Sequence, residues 1–290
     1  MPEPFPFEHL LGELNKIDEW LSGCGYRTHD RIRKYQENVR LLFRLEREDT
    51  SFAVREQMSE ARVREMLWSI VEADEFVRAV VPLRSVLGDE MAGAPIQKAL
   101  SGPSDLLLET SKNSRGRNFM FELIMGGRLA KAGIIPAFDR GPDVSFELHS
   151  LRVAMQCKRP FSPQGVKDVI RKAISQLQTD GADLRLIAIS VSRLLNPGEV
   201  DFVPIVDSPH AGQNLLDDQG RRIADLSRTY WKGKLERSGI LFYGFTPVRW
   251  VQENGRFGFA SLRAETLCPV VDSDTATKAR LRQYCDAIGR

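Results

Sequence analysis

Residues 141–158 read GPDVSFELHSLRVAMQCK, from Gly141-Pro142-Asp143 to Gln156-Cys157-Lys158. Asp143–Glu147 and Leu151–Lys158 read as two strands, with His149-Ser150 between them as a tight hairpin turn. Strand side chains alternate, so Val153, Met155 and Cys157 share one face, and Arg152, Ala154, Gln156 and Lys158 share the other. A two-residue turn at His149-Ser150 sets Asp143 opposite Gln156 and diagonal to Lys158. Three polar side chains from two strands then converge at one end of a sheet.

The neighbouring segments place this hairpin. Asn118–Lys131 reads as a helix that is apolar on nearly every side, with Phe119, Met120, Phe121, Leu123, Ile124, Met125 and Leu129, and such helices are buried. Glu122 stands in its middle, where a carboxylate is costly unless it is paired or metal-bound. Gly126-Gly127 costs about 1 kcal/mol per residue relative to Ala, which points to close packing against a sheet. Ile134–Phe138 reads as a short strand, and Asp139–Pro142 as a turn. Val166–Leu177 is an amphipathic helix. Leu184–Leu194 is a strand too continuously apolar to be half exposed. The order over 118–194 is therefore α-β-β-β-α-β.

Residues 7–110 read as mostly helical: a first helix stopped by Gly23 and Gly25, a second from Asp30 to Glu48, and a third from Val54 to Val81, with Pro82 near its end. Gly88–Pro95 reads as a loop, and Gln97–Leu108 as a short helix interrupted by Gly102-Pro103. Beyond Asn196-Pro197-Gly198, a helix is expected at 214–236, strands at Ile240–Val251 and Phe257–Leu267, and a last helix at Thr275–Ile288. The division is a helical region at 1–110, an α/β core at 111–200 and a C-terminal α/β extension at 201–290.

The charge follows that division. The chain of 290 residues has a formal net charge of +2, made of −6 over residues 1–110 and +8 over residues 111–290. A mildly basic module suits a polyanion, while the acidic helical region does not suit direct DNA binding. Arg115 and Arg117, Arg221 and Arg222, and Lys232 and Lys234 are basic clusters for phosphate or for a solvated face. Tyr230-Trp231 and Tyr243, Phe245 and Trp250 read as core more readily than as a base-stacking platform.

Cys24, Cys157, Cys268 and Cys285 are scattered, which excludes a zinc knuckle and a disulfide framework and fits a reducing, cytoplasmic setting. Neither HExxH, GxSxG nor GxxxxGK[ST] occurs. No apolar run reaches the length of a membrane span, and the N-terminal MPEPFPFEHL has no secretory character.

Carboxylates beside a lysine on adjacent strands have a specific chemistry. Carboxylate oxygens hold a hard divalent cation, which polarises a phosphate and acidifies a bound water. A nearby ammonium orients that water and balances charge on the transition state.

These residues resemble the PD-(D/E)XK nuclease superfamily, in the QxK form found in Mrr-type restriction endonucleases. Pro142-Asp143 matches the Pro-Asp element, Gln156-Cys157-Lys158 the (D/E)-x-K element with Gln in the acidic place, and Glu122 the helix glutamate; the match spans about 112–195. The resemblance implies a restriction-endonuclease-like core, a mixed sheet flanked by helices, and a DNA-cleaving hydrolase in restriction, phage defence or repair. It implies Asp143, Glu122, Gln156 and Lys158 as catalytic residues. Asp143, Glu122, the Gln156 side chain and the Cys157 carbonyl would ligate Mg²⁺ or Mn²⁺. Gln176 is implied to face the site, and Arg159, Arg115 and Arg117 are substrate-binding candidates. RNA as substrate and a homodimer stay open.

Blander readings stand beside these. Asp143 also fits a turn residue bonding its own backbone. Lys158-Arg159 also fits a solvated strand end, and Glu122 a surface residue. Cys157 reads as a small buried hydrophobe. Gln156 in the acidic place also fits a nuclease fold that has lost its metal and only binds nucleic acid, or a chain whose helical half binds a protein.

Overall fold

The computed structural model describes residues 7–26, 30–47, 58–104, 109–110, 112–138, 141–148, 150–194, 203–231, 234, 237–251, 257–269, 275 and 279. Helix α1 (Phe7–Gly23) buries Leu10, Leu14, Ile17 and Leu21 at helical spacing. It is followed by α2 (Asp30–Arg47) and the long α3 (Glu60–Leu100). Ser59 caps α3 by accepting the Arg62 N–H at 3.3 Å.

The loop expected at Gly88–Pro95 is not present. Only Gly88 leaves helical geometry (φ 76°, ψ 165°), and helix resumes at once, with Pro82 and Pro95 both inside the 41-residue element. Gly88 alone absorbs the bend because a glycine has no Cβ to clash at positive φ.

Helix α4 (Arg115–Lys131) lies along α3. A Cβ on Gly127 would sit 2.3 Å from Ala79 Cα, and one on Gly126 would sit 2.4 Å from the Phe138 ring. The glycine pair therefore permits close approach to a helix and an aromatic side chain, not to a sheet as the sequence suggested.

The sheet contains β1 (Val144–Leu148), β2 (Leu151–Lys158), β3 (Leu184–Ser190), β4 (Ser238–Val251) and β5 (Phe257–Pro269), side by side in chain order. Pairs β1–β2 and β4–β5 are antiparallel, and β2–β3 and β3–β4 are parallel. The two parallel joins need crossovers, supplied by α5 (Gly165–Gln178) and α6 (Pro209–Trp231).

The strand expected at Ile134–Phe138 is reduced to one antiparallel bridge, Ala137 with Ser145. Gly133 turns the chain at positive φ, Pro136 has no N–H to give a ladder, and Ile135 remains 66% exposed.

The fold is thus a mixed α/β architecture with helices on both sheet faces. One apolar core joins Leu14, Phe76 and Leu123 of the helical layer to Met155, Leu186 and Tyr243 of the sheet, so it crosses the expected boundary at residue 110 without interruption. A second core packs Ile170 and Ile174 of α5 and Leu216 of α6 on Ile187, Ile189 and Phe242. The C-terminal strands extend the sheet. Trp231, Tyr243 and Phe245 are core residues. His149, Lys232 and most of the expected helix at Thr275–Ile288 lie outside the described residues. Among the described residues, no helix is long and apolar enough to cross a membrane.

Candidate active site

The β1–β2 register pairs Val144 with Met155 and Leu148 with Leu151, leaving a two-residue turn in which Ser150 adopts φ 65°. One step before Val144, Asp143 falls beside Gln156, as the alternation required. Its carboxylate takes over a donor of the strand ladder: Cys157 N–H donates to Asp143 Oδ2 at 2.7 Å. Lys158 Nζ donates to the same oxygen at 3.0 Å and to Gln156 Oε1 at 2.6 Å. Gln156 is buried, and its Nε2 reaches the Gly141 carbonyl at 3.4 Å. Four groups are thereby locked by one another, an arrangement that preorganises them.

The turn reading of Asp143 gives way, since its carboxylate bonds across strands to Cys157 and Lys158. Lys158 is no solvated strand end either, because its side chain is only 14% exposed. Cys157 is a buried residue whose thiol is pushed well above its usual range by burial and then by the nearby carboxylates. It remains a thiol at neutral pH and is not a nucleophile.

Helix α4 brings Glu122 to this end of the sheet, half-buried rather than on the surface. Burial, and then repulsion from Asp143, push its carboxyl up to about 8, partly opposed by Lys158 and Lys98. Lys98, at the C-terminal end of α3, sits over one side of the Phe119 ring at 5.6 Å, and Arg115 lies 5.5 Å from the same ring. Nothing in the sequence around Lys98 marked it as a neighbour of Glu122; only the return of α4 along α3 makes it one.

Among the described residues, no three His, Cys, Asp or Glu side chains group closely enough to hold a metal ion. The expected ligand set explains this, since Asp143 and Glu122 are its only carboxylates. The Gln156 amide oxygen and the Cys157 carbonyl complete it. All four are hard oxygen donors of the kind Mg²⁺ accepts.

The remaining candidates divide. Arg117 is a correction: it is 2% exposed, paired to Glu72 through Nε (2.7 Å) and Nη2 (3.2 Å), and it also donates to the Pro103 and Ser104 carbonyls. It braces the helical layer and is closed to substrate. Arg115 is exposed on the first turn of α4. Gln176 is exposed on α5, where its carbonyl accepts the Thr179 hydroxyl at 3.0 Å; the described hydrogen bonds do not join it to Asp143, Gln156 or Lys158. Arg159 is held by Glu109, whose side chain is 0% exposed. Glu109 and its second partner, Arg193, were not legible in the sequence because they are 84 residues apart.

No family model, curated protein or solved structure matches this chain in comparisons with known proteins.

Proposed function

We propose that this protein is a divalent-cation-dependent deoxyribonuclease that hydrolyses phosphodiester bonds at the end of β1 and β2. The observation that carries this reading is the interlocked group of Asp143, Gln156 and Lys158, with Glu122 of α4 near enough for Asp143 and Lys158 to act on its charge. A raised Glu122 carboxyl near the Asp143 carboxylate, with amide and peptide oxygens beside Asp143, forms a site that a hard cation would stabilise. A bound Mg²⁺ or Mn²⁺ supplies phosphate polarisation and an acidified water.

The protein's own groups have distinct tasks. Asp143 and Glu122 hold negative charge towards the cation. Gln156 fixes Lys158 through its Oε1 and itself through Gly141. Lys158 orients the attacking water and balances charge as the phosphorane develops. Burial of Gln156 and Cys157 limits solvent behind the reacting atoms.

A second reading has its own support. Gln156 leaves two carboxylates instead of three, and Lys158 already engages Asp143 Oδ2, so a metal-free module that only binds nucleic acid is the alternative. Incubation with linear, circular and single-stranded DNA and with RNA, in Mg²⁺ or Mn²⁺, separates the two. The nuclease reading expects metal-dependent cleavage of DNA that falls about 10²–10³-fold in Lys158→Ala. A folded wild-type protein that neither cleaves nor binds the cation supports the binding module.

A further inference from the structure

The carboxyl ends of the parallel strands β2 and β3 carry a second charged group beside Lys158. The register pairs Lys158 with Ile189, so Arg159 and the turn at 192–194 leave the sheet at nearly the same level. Ligands of open α/β sheets bind outside these strand ends.

Glu109 lies beneath and fixes two arginines. Arg159 grips it with Nη1 on Oε1 (2.8 Å) and Nη2 on Oε2 (3.3 Å), while Arg193 Nη1 donates to Oε2 at 2.8 Å. Both arginine side chains are 10% exposed. The Arg193 guanidinium is laid over the Phe161 ring at 4.3 Å, which sets its plane. Phe161 itself is 37% exposed, although it is large and apolar.

Among the described residues, Arg31, Arg117, Arg159 and Arg193 act on one another here against Glu72 and Glu109. Arg31 and Arg117 are engaged by main-chain carbonyls and by Glu72. Arg193 donates to Glu109, and its buried Nε, like that of Arg31, has no acceptor among the described residues. Burial and the neighbouring Arg159 and Arg117 make the Arg193 cation less favourable than an ordinary one, and an incoming anion relieves that. Planar, oriented guanidinium forks suit phosphate oxygens.

We propose that Arg193 and Arg159, clamped by Glu109 and Phe161, form a phosphate-binding site for the DNA strand next to the phosphodiester that Lys158 faces. The proposal rests on the nucleic-acid reading above and names the residues that hold the substrate. It makes binding independent of base sequence, since a phosphate oxygen carries no base information. Glu109 and Phe161 act as positioning residues.

The test measures binding without cleavage: anisotropy of fluorescein-labelled single-stranded and duplex DNA in EDTA, across a salt series, for the full chain. Arg193→Gln is expected to weaken binding about five- to tenfold and to lower the slope of log affinity against log salt by about one. Phe161→Ala is expected to weaken binding less, with a smaller change in slope. If Arg193→Gln does not fold, Arg193→Lys, which keeps the charge but not the fork, is expected to weaken binding with the salt slope unchanged. Equal affinities and slopes for folded wild type and Arg193 variants overturn the site, as does a wild type that binds neither DNA. Binding that depends on Arg193, in a protein without metal-dependent cleavage, defeats the nuclease reading and leaves this site standing.

Discussion

Two buried charge groups, both beside α4, are built on opposite principles. Around Glu72, every strong partner is supplied: Arg117 grips both carboxylate oxygens, Tyr35 Oη reaches Oε2 at 3.4 Å, and Arg31 is occupied by the carbonyls of Ala99, Ser101 and Pro103. Burial alone raises the Glu72 carboxyl, and the arginines more than reverse it, so its pKa falls below the ordinary value. Around Glu122, half-buried, desolvation meets a second carboxylate, Asp143, and the pKa rises to about 8. A saturated group holds helices together. An undersaturated one keeps electrostatic energy that a cation can discharge, and perturbed carboxylates of this kind concentrate at functional sites.

The sharpest way to break this contrast is to unpair the saturated group. Glu72→Gln leaves Arg117 buried without a counter-charge, and a loss of about 3–5 kcal/mol is expected by urea unfolding. A loss under about 1 kcal/mol would show that the pair is not what braces α3 to α4.

Lys158→Ala is expected to do the reverse, lowering cleavage about 10²–10³-fold while lowering the urea midpoint much less than Glu72→Gln does. A collapse of stability equal to that of Glu72→Gln would place Lys158 among the structural charges.

The Glu122 carboxyl gives a pH signature. Its pKa is raised in the folded protein, so the native state binds its proton more tightly than the unfolded chain does. The resulting stability is complete below about pH 4.5 and is lost as pH rises through about 8. Glu122→Gln cannot ionise, so without metal its thermal midpoint is expected to gain on that of wild type between pH 6 and pH 9. A constant difference across that range would show that Glu122 is already ionised. By the same linkage, Mg²⁺ binding to wild type at neutral pH is expected to release a proton, read by calorimetry in buffers of different ionisation enthalpy.

The smallest effect is expected at an exposed pair. Arg221 contacts Asp218 at 2.6 Å with both side chains mostly in solvent, and Arg221→Ala is expected to leave the thermal midpoint unchanged. A measurable drop there would mean that exposure is a poor guide to which charges this fold depends on.

How much of this was legible beforehand follows from range. The hairpin at 141–158, its two-residue turn, the buried α4 and the two later strands follow from alternation and periodicity, which are local properties of the chain. Asp143 beside Gln156 and Lys158 was legible for the same reason, because a strand register propagates from its turn. Other readings failed where one residue's backbone freedom or a distant neighbour overrode a local pattern. Gly88–Pro95 continues as helix because a single glycine takes the bend. Gly127 is small because Ala79 of α3 comes against it. Arg117 looked like a surface cation in a basic run, but Glu72 buries it from 45 residues away.

The sequence by itself determined the hairpin, the alternation that gathers Asp143, Gln156 and Lys158, and the apolar helix that carries Glu122, since each is dictated by spacing along one or two elements. Only the tertiary structure decided which charges are satisfied. Glu72 with Arg117, Glu109 with Arg159 and Arg193, and Glu122 against Asp143 are set by how α3, α4 and the ends of β2 and β3 come together. The environment of a charge depends on distance in space, which sequence order does not record.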